Sequence, residues 1–152
     1  MSQNLIKYEK NERYLATQLF KSIKTVKSYS FTQGRICYDF IVNTTDDKSI
    51  IGEIKVRSFD ISKYPDYILQ VDKLLGLIKR AKANKFDKIY YINFFISDKK
   101  GHIDYIIFEL TERINEWKIN RPQIKNMLMN AETHKSKEYK VWKDVILLTD
   151  YV

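Results

Sequence analysis

Two apolar runs lie on either side of a polar turn, and each carries an acid where a strand that only packed would have no use for one. The first run is Ile36-Cys37-Tyr38-Asp39-Phe40-Ile41-Val42 and the second is Ile50-Ile51-Gly52-Glu53-Ile54-Lys55-Val56. Their β-branched and aromatic content reads as strand. Thr44-Thr45-Asp46-Asp47-Lys48 between them reads as a turn, so the pair predicts a hairpin with strands over 36–43 and 49–57. Burying a carboxylate or an ammonium in such a run costs desolvation energy that a partner must offset. Alternate residues of a strand share a face. Glu53 and Lys55 therefore point one way, and Gly52, Ile54 and Val56 point the other. Asp39 shares a face with Cys37 and Ile41, and hairpin pairing can bring it opposite the Glu53 region. Two carboxylates that close raise one pKa unless a cation occupies the site. A divalent metal removes the conflict, and Lys55 beside it supplies fixed positive charge for a phosphate.

The bare Glu-x-Lys pattern specifies little, since the chain carries it three times, at Glu53/Lys55, Glu116/Lys118 and Glu138/Lys140. Only Glu53/Lys55 lies in a strand with an acid in the preceding hairpin arm. The competing reading of Asp39, Glu53 and Lys55 is an ordinary ion pair on the exposed face of an edge hairpin.

The rest of the chain alternates helix-like and strand-like segments. Leu15, Leu19, Phe20 and Ile23 recur at helical spacing and predict a helix from Asn4 or Asn11 to Lys24. A short strand follows over 28–31. A second helix is predicted over 66–84, with Ile68, Val71, Leu74, Leu75 and Ile78 as its apolar face. Residues 88–97 form an apolar run suited to burial on both faces. A turn over 98–101 leads to a strand over 102–110. Thr111 caps a short helix through Trp117, Pro122 opens another through Asn130, 131–138 is a loop and 139–148 a last strand. This order predicts a mixed α/β fold, a central mixed sheet flanked by helices, rather than strict βα alternation.

Composition narrows the chemistry. The 152 residues suit one domain. No apolar stretch approaches the ~20 residues of a membrane span, and the start lacks the apolar core of a signal peptide, so the expected compartment is the cytoplasm. One cysteine, Cys37, and two histidines, His102 and His134, do not make a zinc site of the Cys/His kind; a metal here would be a hard cation on oxygen ligands. The net charge of +8, from 27 Lys and Arg against 19 Asp and Glu, suits a polyanion, nucleic acid first, or equally a solvated lysine-rich surface.

With these residues in place, the chain resembles the PD-(D/E)XK nuclease superfamily, the restriction-endonuclease-like fold. That family has an αβββαβ core, an acid in the second strand and Glu/Asp-x-Lys in the third. The resemblance covers a core of residues 11–97 within one domain of 1–152, with extra strands and helices over 98–152. It implies that Asp39, Glu53 and the backbone carbonyl of Ile54 hold Mg²⁺ or Mn²⁺, and that Lys55 serves as the catalytic lysine. Tyr38 stands where the motif has proline. Glu12, with Glu9 behind it, matches a first-helix carboxylate that some members use. Gln70 matches a polar residue on the helix after the lysine strand, with Lys73 one turn on. Each of these also has a plainer reading, as a solvated helix-start acid or a helix-boundary residue.

Arg57, Lys63 and Lys73 are the candidate nucleic-acid contacts. Lys79, Arg80, Lys82 and Lys85 cluster on the second helix, where a solvated face is the plainer reading. The resemblance implies a divalent-metal-dependent nuclease for DNA rather than RNA, structure-selective in the manner of a junction resolvase, with no membrane partner and with a homodimer to cut two strands. Two other readings stay open: a non-catalytic nucleic-acid-binding or assembly protein on the same fold, and a small protein-interaction module.

Overall fold

A computed structural model of the chain describes residues 3–32, 38–96, 103–111, 124–132 and 138–148. Helix α1 (Gln3–Ser22) starts earlier than Asn11. It buries Ala16, Leu19 and Phe20 on one side, the spacing that puts residues on one helical face. Strands β1 (Val26–Phe31), β2 (Phe40–Thr44) and β3 (Ser49–Arg57) form an antiparallel meander. Its second turn closes with the Thr44 N–H donating to the Lys48 carbonyl at 2.9 Å and with Asp47 in the left-handed region at φ 61°, where an Asp is tolerated.

After β3 the structure departs from expectation. Residues 67–70 are not the first turn of a helix but a strand, β4 (Tyr67–Gln70), and helix α2 (Val71–Ala83) begins only after it. The cause is tertiary: Tyr67 pairs with Leu148 and Leu69 with Ile146 in the distant final strand. The buried face of α2 is Leu74, Leu77 and Ala81, rotated from the predicted one, so Leu75 is 59% exposed.

Strands β5 (Lys88–Ile96) and β6 (Ile103–Glu109) follow. Then β7 (Ile124–Glu132) replaces the predicted second C-terminal helix and the start of the predicted loop, and β8 (Glu138–Leu148) completes the described chain. Pairing with β8 from Ile124↔Ile146 to Glu132↔Glu138 is what makes 124–132 a strand. The turn over 98–101, the helix predicted to run on from Thr111 to Trp117, Cys37, His102 and His134 fall outside the described residues in whole or part.

Two sheets result. The larger has the order β1-β2-β3-β5-β6 and the smaller β4-β8-β7. In the larger, β3 and β5 are parallel and every other pairing is antiparallel, so the sheet is mixed. The order α1-β1-β2-β3-α2-β5 is the αβββαβ order expected from the sequence, with β4 interposed before α2. Helix α1 covers one face of the larger sheet, packing Leu19 and Phe20 on Phe40, Val42, Ile50 and Ile54. Helix α2 covers the other, with Leu74 and Leu77 on Ile51, Tyr91 and Phe108, joined by Leu69, Ile146 and Leu148 of the smaller sheet. Alternation along β3 therefore sends Ile50 and Ile54 toward α1 and Ile51, Glu53 and Lys55 toward α2.

Candidate functional site

The site forms where β2 parts from β3. Their ladder ends at Phe40↔Gly52, so Asp39 stands in a bend just before β2 rather than inside the strand predicted over 36–43. Beyond that point the Ile54 N–H would lose its partner. The Asp39 carboxylate takes over, accepting from Ile54 N at 2.8 Å through Oδ2, while the Asp39 N–H donates to the Gly52 carbonyl at 2.8 Å. The first acid is thereby fixed against the backbone between Glu53 and Lys55.

Gly52 holds this point in place by its size. A Cβ there would stand 2.2 Å from the Phe40 ring and 2.5 Å from the Tyr90 carbonyl oxygen, far inside van der Waals contact. Only glycine lets Phe40 and β5 close over β3 immediately before Glu53.

Glu53 is 5% exposed. Its Oε1 meets the Lys73 ammonium of α2 at 2.7 Å, the kind of partner a buried carboxylate needs. Burial, then the Asp39 charge, still raise its pKa from 4.5 to about 7. Burial works against the charge on Lys73, but the Glu53 charge and hydrogen bond prevail and lift its pKa. Burial, with Lys73 and Arg57 nearby, pushes the Lys55 ammonium below the usual lysine range. Among the described residues no carboxylate lies within ion-pairing distance of Lys55. Glu12 of α1 joins the cluster electrostatically: burial first, then the Asp39 charge, raise it to about 8, with Lys55 opposing.

The remaining predicted residues are placed as follows. Gln70 ends β4 and stands at the N-cap of α2, rather than within the helix, and makes no side-chain capping bond. It lines a small cleft with Glu53, Lys55, Arg57, Lys73 and Tyr91. The Arg57 guanidinium donates to the Ile68 carbonyl and the Tyr91 hydroxyl, both at 3.3 Å, while Tyr91 itself donates to Ile68 O at 2.8 Å. Arg57 thus ties β3 to β4 and β5. Lys63 is exposed in the 58–66 loop, over the rings of Phe59 and Tyr64 at 5.6 and 5.4 Å. Arg80 lies over Tyr38 at 5.8 Å, and Tyr38 packs on the α2-side core. The side chain of Glu9 falls outside the described set.

Sequence reasoning passed over Asn93. It is fully buried in β5, in register with Lys55 across the parallel β3–β5 pairing. The available signal was one amide inside an otherwise apolar and aromatic run.

A larger cavity, about 340 Å³, lies on the α1 side of the sheet, lined by Phe20, Val42, Tyr90 and Ile107 among others. Its carboxylate, Glu109, sits 3.8 Å from Lys88. Its described lining carries one acid, Glu109, and no lysine, whereas the small cleft sets Glu53 beside Lys55 and Lys73.

Hard oxygen donors are what Mg²⁺ or Mn²⁺ require. Asp39 and Glu53 supply them, and the burial and neighbouring Asp39 charge that raise Glu53 are a conflict that a divalent cation would relieve. Among the described residues no three His, Cys, Asp or Glu side chains are grouped to hold a metal. The donors present fit such an ion in type, and Glu53 shares its charge with Lys73.

No protein family and no curated protein matches the sequence. Among solved structures, the chain is similar to Hjc, a Holliday junction resolvase from Archaeoglobus fulgidus. The likeness has a TM-score of 0.46 at 17% identity and covers 86% of this chain and 87% of that one. Among the described residues no helix is long and apolar enough to cross a membrane.

Proposed function

We propose that the chain is a divalent-metal-dependent nuclease, one domain over 1–152, hydrolysing phosphodiester bonds of DNA in the cytoplasm. Branched DNA is the preferred substrate class, and two copies act together to cut two strands. The observation that carries this is the Asp39–Ile54 hydrogen bond, which sets an acid against the middle of Glu53-Ile54-Lys55. Chance charges on a strand would not be locked to one another through the backbone of that strand.

In this reading Asp39, Glu53 and the Ile54 carbonyl hold Mg²⁺ or Mn²⁺, which when bound lowers the pKa of water and neutralises charge on the leaving oxygen. The chain's own residues do the rest. Lys55 faces the phosphate and adds positive charge where the transition state gains negative charge. Its depressed pKa also suits it to hold or pass a proton on the attacking water. Glu12, coupled to the cluster by charge, and Gln70, on the cleft wall, are the groups left to orient that water. Lys63 neutralises a flanking phosphate, so affinity falls as salt rises, while Lys73 is engaged with Glu53. Arg57 supports the site by bracing β4 rather than by reaching outward.

A second reading, non-catalytic nucleic-acid binding, draws support from the Lys73–Glu53 pair, in which a protein cation already neutralises the second acid. Incubating the chain with Mg²⁺ or Mn²⁺ and plasmid, single-stranded and branched DNA separates the two. The nuclease reading expects cleavage by the wild type and its loss in Lys55→Ala and Glu53→Gln, with folding and DNA binding retained. Undiminished cleavage in those variants sinks the site; binding without cleavage favours the second reading.

A further inference from the structure

Asn93 is fully buried, and both its Oδ1 and its Nδ2 lack a hydrogen-bond partner. Buried side-chain polar atoms are nearly always partnered, so each exception calls for a reason. A leucine, larger but of the same branching, would carry no unmet polar group there. The neighbours of Asn93 on its face narrow the reason. Tyr91, two residues earlier on β5, spends its hydroxyl on Ile68 and Arg57. Phe95, two residues later, offers nothing polar, and neither does Ile106, its register partner in β6. Lys55, its register partner in β3, remains.

Lys55 has the complementary need. Its side chain is half-buried at the edge of the small cleft, and among the described residues it makes no hydrogen bond or ion pair. Two adjacent strands thus carry, side by side and facing α2, an amide acceptor without a donor and a cation without an acceptor. Neighbouring strands lie about 4.8 Å apart, within reach of a change of rotamer in either side chain.

We propose that Asn93 is a positioning residue acting through Lys55: its amide oxygen accepts from the Lys55 ammonium when the protein grips a DNA phosphate, fixing the lysine's aim. This rests on the nuclease reading for its consequence in rate, but not for the contact itself. The cleft beside it provides the occasion. Lys55 lines that cleft while Asn93 does not, so Asn93 meets substrate only through the lysine.

The test reads the contact and the rate separately. Uniformly ¹⁵N-labelled chain, wild type and Lys55→Met, is titrated with a synthetic branched DNA in EDTA, and the Asn93 side-chain amide is followed by NMR. Single-turnover cleavage by Asn93→Leu is measured in Mg²⁺, with its melting temperature. The amide resonances should move on DNA binding in the wild type and stay in place in Lys55→Met. Asn93→Leu should melt no lower than wild type yet cleave about 10- to 100-fold more slowly, with KM within about twofold.

An amide that does not move, or moves equally in Lys55→Met, overturns the contact whether or not the chain cleaves. Wild-type cleavage by Asn93→Leu overturns the positioning role. An amide that moves as expected in a wild type that never cleaves removes the nuclease reading and leaves the contact standing. A chain that binds no branched DNA takes both down.

Discussion

The carboxylate of Asp39 accepts the backbone N–H of Ile54 at 2.8 Å. One side chain thus does two jobs: it completes a ladder that β2 has abandoned, and it holds a negative charge beside Glu53 and Lys55. The two jobs respond differently to substitution.

Asp39→Ala should lose both. Without an acceptor the Ile54 N–H is left unmet in a mostly buried position, a loss of about 1–3 kcal/mol. Asp39→Asn keeps an oxygen for that N–H and should lose less than about 1 kcal/mol, yet cleave no better than the alanine variant. Urea unfolding curves beside a cleavage assay check both halves. Equal destabilisation by Ala and Asn would show that the hydrogen bond contributes nothing that the charge does not.

Acidity gives a second expectation. Glu12 and Glu53 bind protons in the folded chain up to about 8 and about 7, against 4.5 for an unpaired glutamate. Between those values the folded state holds more protons than the unfolded one, so stability falls as pH rises. Their contribution is full below 4.5 and is lost as pH climbs through about 7 and 8. Denaturant midpoints in EDTA should therefore be lower at high than at mildly acidic pH, and Glu12→Gln should flatten the slope. A midpoint that rises across this window would contradict the assignment. Cleavage follows the opposite sign, since Glu53 must shed its proton to hold a metal.

Gly52→Ala tests how tightly the strand before Glu53 is clamped. The added methyl meets the Phe40 ring and a backbone carbonyl that has little room to yield. Overpacking of this kind costs about 1–3 kcal/mol. Because the strain is released next to the site, activity should fall further than stability alone explains. Thermal melts paired with cleavage at a temperature where both proteins are folded distinguish the two. An alanine chain of unchanged midpoint would mean that β2 and β3 move apart freely.

How far the sequence foretold all this depends on the reach of each interaction. Strand β3 was legible over its whole length, 49–57, because alternation is local, and the same alternation correctly put Glu53 and Lys55 on a common face. Asp39 was legible as an acid near Glu53 but not as a bend residue, since the parting of β2 from β3 leaves no mark in composition. The Tyr67-Ile68-Leu69-Gln70 segment suits helix and strand alike, and what decides it is Leu148 and its neighbours, far along the chain. The same distant strand turns 124–132 from a plausible helix, opened by Pro122, into β7. Asn93 acquires meaning only through parallel register with Lys55, which no reading of β5 alone supplies.

That parallel pairing also orders events in time. Asp39, Glu53 and Lys55 lie close together in the chain and leave the ribosome early. Lys73, which neutralises Glu53, comes with α2, and Asn93 comes with β5 only after the crossover is made. Parallel strands pair late because the intervening loop must close before any contact repays it. A nascent chain thus carries the acids and the lysine without their counterparts, and the cluster is complete only once the crossover has closed and the last element of the core is in place.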